Sequence, residues 1–129
     1  AEEPLEVLRC MGGYEIAGLV GAMLEASEQG QAILLDGFIT GAAAIIALAL
    51  RPAMQRQLIA GHQSAEQGHA AVLRALNLRP LLTLDMRLGE GTGAVMAMKL
   101  LDGACRVLED MSTFEEAGME HPLEPGGRQ

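Results

Sequence analysis

Apolar positions along this chain change period in a regular way. Leu5, Val7 and Leu8 follow Pro4, which suits the first turn of a helix because its missing N–H costs nothing there, and Gly12-Gly13 ends the segment. From about Tyr14 to Ser27, the positions Ile16, Leu19, Val20, Met23 and Leu24 recur every three to four residues, the spacing of a helix with one buried face. Gly18 and Gly21 weaken such a helix unless another backbone passes close by, and Gly30 is its natural stop. Ala32 to Leu35 is a short unbroken apolar run closing on Asp36-Gly37, which is how a strand buried on both faces of a parallel sheet reads. Ile39 to Leu50 predicts a third helix, apolar nearly all round and so buried; Arg51-Pro52 punctuates it and opens a short helix to about Gln57. Leu58 to Gly61 predicts a second strand, and Ala65 to Leu76 the next helix, with Ala71, Val72, Ala75 and Leu76 toward the core. Pro80 introduces a less marked third strand, Leu81 to Asp85. After a glycine-rich turn, Gly93 to about Met111 makes the longest helix, with Val95, Met96, Met98, Leu100, Leu101, Ala104 and Leu108 among its apolar positions. Ser112-Thr113 followed by Glu115-Glu116 reads as a capping box opening a final short helix, and Pro122, Pro125 and Gly126-Gly127 predict a disordered tail.

Alternating strands and helices imply parallel pairing with right-handed crossovers, an α/β fold. Ligands in such sheets bind beyond the carboxyl ends of the strands. Asp36-Gly37 and His62-Gln63-Ser64 sit at those ends, and Arg87-Leu88-Gly89-Glu90-Gly91-Thr92-Gly93-Ala94 lies just after the third run. The pattern therefore predicts a binding site on one edge, built from three sequence-distant loops. Glu90 stands among three glycines, which let the backbone turn sharply, at a helix start whose amides favour an anion or an ionised carboxylate. The residues alone fit a catalytic base or a plain turn acid. Asp36-Gly37 fits a ribose-hydroxyl contact or an N-capping turn. Ser64 fits a phosphate or sugar donor, or an N-cap with Glu66 or Gln67 completing the box, and the two roles are compatible.

His62 and His69 invite a metal or base reading, but about two helical turns between them is too far to share one ion, so hydrogen-bonded or solvated histidines are expected. A Ser64–His62–Asp36 triad lacks the Gly-x-Ser-x-Gly elbow of a hydrolase. The methionines read mostly as core filler, except that Met86 and Leu88 flank the Glu90 loop and fit an apolar ligand ring.

Composition narrows this picture. In 129 residues half are apolar, only 2% are aromatic, and the mean hydropathy is +0.22. The core must be built from Ala, Leu, Ile, Val and Met, with close Ala/Gly-rich helix packing, and some apolar surface is expected to be covered by another segment or subunit. A net charge of −8 argues against nucleic acid or an anionic membrane as partner. Cys10 and Cys105 match no metal or redox spacing and read as free thiols in a reducing compartment. No basic-then-apolar leader opens the chain, and Ile39 to Leu50 is too short to span a bilayer, so a cytoplasmic location is expected.

From Gly12-Gly13-Tyr14-Glu15-Ile16-Ala17 to Thr113-Phe114-Glu115-Glu116-Ala117-Gly118, with Asp36-Gly37-Phe38, His62-Gln63-Ser64-Ala65-Glu66 and Gly89-Glu90-Gly91-Thr92-Gly93 between them in order, the chain resembles the C-terminal part of nicotinate-nucleotide–dimethylbenzimidazole phosphoribosyltransferase. That family transfers the phosphoribosyl group of nicotinate mononucleotide to 5,6-dimethylbenzimidazole, giving α-ribazole 5′-phosphate and nicotinate in cobalamin biosynthesis. The resemblance implies that Glu90 is the catalytic base taking the ring N–H proton of the azole. It implies that Gly37 and Ser64 hold the ribose phosphate with Asp36 beside them, and that Leu88 belongs to the azole pocket. It implies no metal, no cofactor and a homodimer or other self-association. Gln67 departs from an expected proline, which bears on the helix start rather than on chemistry.

The implied fold is the C-terminal part of a Rossmann-like parallel sheet with flanking helices over residues 1–90, then C-terminal helices of a small helical domain over 91–118 and a tail over 119–129. The chain begins without an initiator Met, and the family's enzyme is much longer on its N-terminal side. Further parts of both substrate sites come from that side, so the resemblance also implies that this stretch alone is inactive and that azole selectivity is set largely elsewhere. The competing readings are a non-catalytic nucleotide-binding module and an oligomerisation domain; the second explains none of the three loops.

Overall fold

The computed structural model describes residues 3–118, so the predicted tail over 119–129 lies outside the described residues. The elements run α1 (Pro4–Met11), α2 (Tyr14–Glu28), β1 (Ile33–Leu35), α3 (Phe38–Leu50), a 3-10 helix (Pro52–Gln57), β2 (Leu58–His62), α4 (His69–Ala75), β3 (Pro80–Leu82) and α5 (Thr92–Asp110). The chain divides into two compact units with the boundary between Lys99 and Leu100.

In the first unit the three strands form an open parallel sheet in the order β1-β2-β3. Leu35 stands beside Ala60, and His62 beside Leu82. This is the parallel sheet with flanking helices that the alternation predicts, and it fits the partial Rossmann-like fold that the resemblance implies. Val20 and Met23 of α2, Ile33 and Leu35 of β1, Ala43, Ala44 and Ala47 of α3, and Met54, Leu58 and Leu76 make one buried cluster. Small residues bring the helices close: a Cβ on Gly41 would stand 2.6 Å from Val72 Cγ1, so α3 meets α4 nearly backbone to side chain.

Several local expectations change. Gly18 and Gly21 face open space, with no passing backbone. The helix predicted from Ala65 begins at His69, because Gly68 has φ +93, a left-handed conformation that helical residues do not adopt. Val72 and Leu76 pack on the core as expected, whereas Ala71 and Ala75 are exposed and Leu73 is buried instead. Of the described methionines only Met23 and Met54 are buried; Met11, Met96, Met98 and Met111 are exposed, so core filler describes a minority. No described helix is long and apolar enough to cross a membrane.

In the second unit the capping box forms. Thr113 N–H donates to Glu116 Oε2 at 2.8 Å, and Glu116 N–H donates to Thr113 Oγ1 at 3.2 Å. The turn it opens closes with Ala117 N–H on the Thr113 carbonyl, and Gly118 follows at φ +65, so the described part amounts to one turn.

Two glycines should respond in opposite directions. Gly61→Ala would place a Cβ 2.9 Å from the Leu35 carbonyl and 3.2 Å from Ala94 Cα, both backbone. It should cost about 1–3 kcal/mol. Gly21→Ala meets nothing, and should add about 0.5–1 kcal/mol of stability. Urea midpoints check both; a shift of the same sign in the two variants contradicts this packing.

Candidate active site

Three segments leave the carboxyl edge of the sheet. Asp36-Gly37 follows β1, Gln63-Ser64 follows His62 at the end of β2, and residues 83–91 join β3 to α5. Gln63 N–H donates to the Leu82 carbonyl at 2.8 Å and Ala65 N–H to the Met86 carbonyl at 3.0 Å, which leads the third segment along the second. A Cβ on Gly37 would lie 3.7 Å from His62 Cε1 and 3.9 Å from Ser64 Cβ, so the first two segments touch. The cavity between the segments holds about 360 Å³, and Asp36, Gly37, Ser64, Leu88 and Glu90 all line it. All five residues singled out from the sequence therefore face one space.

The backbone at Glu90 is unusual. Gly89, Glu90 and Gly91 have φ +76, +53 and +79, three successive left-handed residues. Glycine adopts this conformation freely, whereas an L side chain there costs about 1–2 kcal/mol. Only Glu90 bears that cost. It is exposed and also lines a second, mostly apolar cavity of about 490 Å³ with Met86, Leu88, Val95 and Met96. Glu90 thus lines both a cavity of mixed polar and apolar character and a mostly apolar one.

Asp36 takes part differently from a local N-cap. Its Oδ2 accepts Gly91 N–H at 3.3 Å and its Oδ1 accepts Ala94 N–H at 3.0 Å. It caps α5 across 58 positions of sequence, while its own helix α3 starts on Gly37, whose N–H donates to Thr40 Oγ1 at 3.0 Å. The carboxylate satisfies two otherwise open helix-start donors and lies at the positive end of the helix dipole.

Ser64 does not cap α4. Its Oγ accepts Glu66 N–H at 3.2 Å in a local turn, and its own N–H donates to His69 Nδ1 at 2.8 Å. His62 and His69 are both buried, 3% and 2% exposed, with ring centroids 6.1 Å apart. The two-turn separation expected of them fails because His62 ends a strand and His69 starts the helix after it, and the intervening turn folds back. Among the described residues no three His, Cys, Asp or Glu side chains gather as a metal site. His62 Nδ1 is buried without a hydrogen bond, 3.9 Å from Asp36 Oδ1, and a Cβ on Gly93 would overlap its ring. Burial lowers the His69 pKa from its ordinary 6.5, helped by neighbouring His62 and opposed by Glu66 and Asp36.

Sequence reasoning assigned no role to Arg87 or Thr40 and weighed His62 only to set aside metal and triad readings; all three line the same mixed cavity. Arg87 carried a signal, three positions ahead of Glu90 in the same stretch. His62 carried little, because a histidine ending an apolar run reads as the first residue of a loop.

A phosphoribosyltransferase family model matches residues 1–119. The nicotinate-nucleotide–dimethylbenzimidazole phosphoribosyltransferase of Chloroflexus aggregans is 56% identical over 120 residues, covering 93% of this chain and 34% of the relative. The enzyme of the same name from Variovorax paradoxus is 51% identical over 119 residues, with 92% and 34% covered. The crystal structure of the Thermus thermophilus enzyme of that name superposes with a TM-score of 0.88 at 49% identity, covering 94% of this chain and 36% of that one. The chain spans about a third of the length of the curated relatives it matches.

Because His69 Nδ1 accepts a hydrogen bond, the folded ring is neutral with its proton on Nε2. With the folded pKa below 6.5, the unfolded chain takes the proton first as pH falls. The stability this supplies should be complete above that value and decline below it. Thermal midpoints between about pH 7 and pH 5 should fall, and His69→Asn should flatten the fall; an unchanged slope in the variant refutes the assignment.

Proposed function

This chain belongs to the nicotinate-nucleotide–dimethylbenzimidazole phosphoribosyltransferase family, and on that premise we propose that it supplies the general base and part of both substrate sites of such an enzyme. The phosphoribosyl group of nicotinate mononucleotide moves to 5,6-dimethylbenzimidazole. The observation that carries this reading is the place of Glu90, on a left-handed turn lining both the mixed cavity with Asp36, Gly37 and Ser64 and the mostly apolar one. Nucleotide in the first and azole in the second would put the azole N–H within reach of the carboxylate.

The azole nitrogen attacks C1′ of the ribose as the bond from C1′ to the nicotinate nitrogen breaks. That electron pair neutralises the pyridinium, and nicotinate leaves. Glu90 accepts the proton from the azole ring, which keeps the nitrogen lone pair available as the new bond forms. Attack opposite the leaving group converts the β-linkage to the α-linkage of the product, α-ribazole 5′-phosphate. Gly37, Ser64 and Asp36 face the ribose phosphate in this reading, and Leu88 packs on the azole. Arg87, the cation among the described residues lining the mixed cavity, is placed to offset anionic substrate charge.

Self-association belongs to the same reading. Met11 is 83% exposed, Tyr14 97% and Leu108 85%, apolar surface that the rest of the enzyme or a second copy would cover.

Glu90→Gln in a full-length enzyme carrying this stretch tests the proposal, because glutamine keeps the shape and loses the proton acceptor. Turnover should fall about 10²–10⁴-fold while nicotinate mononucleotide still binds. Turnover near the parent rate removes Glu90 from the role of base.

A further inference from the structure

Resting on that reading of Glu90, we infer that Asp36 is a positioning residue for the reaction: it fixes the direction in which Glu90 leaves the backbone, beyond any contact with ribose. Two peptide planes meet at Glu90, and each is held. The entering plane carries the Gly89 carbonyl, which accepts Thr92 N–H at 3.1 Å and Thr92 Oγ1–H at 2.7 Å. These contacts lie within the loop. The leaving plane carries Gly91 N–H, and its acceptor is Asp36 Oδ2 at 3.3 Å. A peptide plane turns as a unit, so holding Gly91 N–H holds the torsion on the C-terminal side of Glu90.

The other oxygen of the same carboxylate holds Ala94 N–H, in the first turn of α5. Asp36 thus ties turn and helix start to the end of β1, one residue before Gly37 on the nucleotide side of the site. It is the link that sets Glu90 in register with the nucleotide pocket and not merely with its own loop. Its side chain is 14% exposed. Behind it the His62 ring fills the space over Gly93, which leaves little room for the tie to slide.

A left-handed turn needs such a tie, because its one L side chain gains by relaxing toward negative φ. Without Asp36 the leaving plane of Glu90 is free to rotate, and the carboxylate swings with it.

The test uses a full-length enzyme carrying this stretch and the single variants Asp36→Ala, Asp36→Asn and Glu90→Gln, together with the Asp36→Ala/Glu90→Gln pair. Asp36→Ala should lower kcat about 10²-fold, the cost of a misplacement near 1 Å, with KM for nicotinate mononucleotide changed less than about threefold. Asp36→Asn keeps one side-chain oxygen for one of the two donors and should lose less; it carries the test where the alanine variant does not fold. In the Glu90→Gln background, Asp36→Ala should cost less than about twofold, since nothing remains to be positioned. A raised KM with kcat preserved would make Asp36 a ribose ligand and overturn the inference. So would an undiminished Asp36 effect in the Glu90→Gln background. If Glu90→Gln itself retains turnover, the failure belongs to the proposed base and not to the tie alone.

Discussion

One carboxylate joins the parts of this site. Asp36 follows the first strand directly and accepts two N–H groups from the start of a helix more than fifty residues later. Helix starts carry donors with no partner inside the helix, and such donors are normally met by a neighbour in sequence. Here the partner comes from another strand end, so a routine local requirement becomes a tertiary tie. The sheet fixes where Asp36 stands, Asp36 fixes where α5 begins, and that start determines the pose of the turn ahead of it. Gly61 and Gly93 complete the arrangement by letting β2 and the His62 ring approach the same helix start.

Much of the fold was legible because its signals are local. The apolar run ending in Asp36-Gly37 announced a buried parallel strand, and the Gly-Glu-Gly turn ahead of a helical pattern announced the place of Glu90. Ordering of strands and helices then put three loops on one edge without any knowledge of contacts. What escaped was long-range or depended on a single torsion. No spacing rule links Asp36 to Gly91 and Ala94. Ser64 has the composition of a helix cap, but a left-handed Gly68 delays α4, so its N–H goes to His69 and its hydroxyl closes a small turn. His69 is hydrogen-bonded, as expected, but the distance between the two histidines was misjudged: counting helical turns between them presumes a helix where the chain runs strand, turn, helix.

The methionines and the longest helix teach a related lesson. Periodicity marks α5 as having an apolar side, and the structure leaves Val95, Met96 and Met98 exposed, with Val95 and Met96 lining the apolar cavity beside Glu90. An apolar face reveals that something is to be covered, not what covers it. Where the face adjoins the proposed base, a flat organic ring is as good an occupant as another helix, since both remove apolar surface from water.

The turn at Gly89, Glu90 and Gly91 has a stereochemical consequence. Its backbone follows the hand natural to mirror-image amino acids. D-alanine, introduced by chemical synthesis at Gly89 or Gly91, would prefer the positive-φ torsions already present there. A residue of opposite chirality on either side of Glu90 would stiffen the turn, where natural L-alanine would bend it away. Glycine permits that conformation without favouring it, so the proposed base sits on a segment whose flanking residues allow its shape but do not reinforce it.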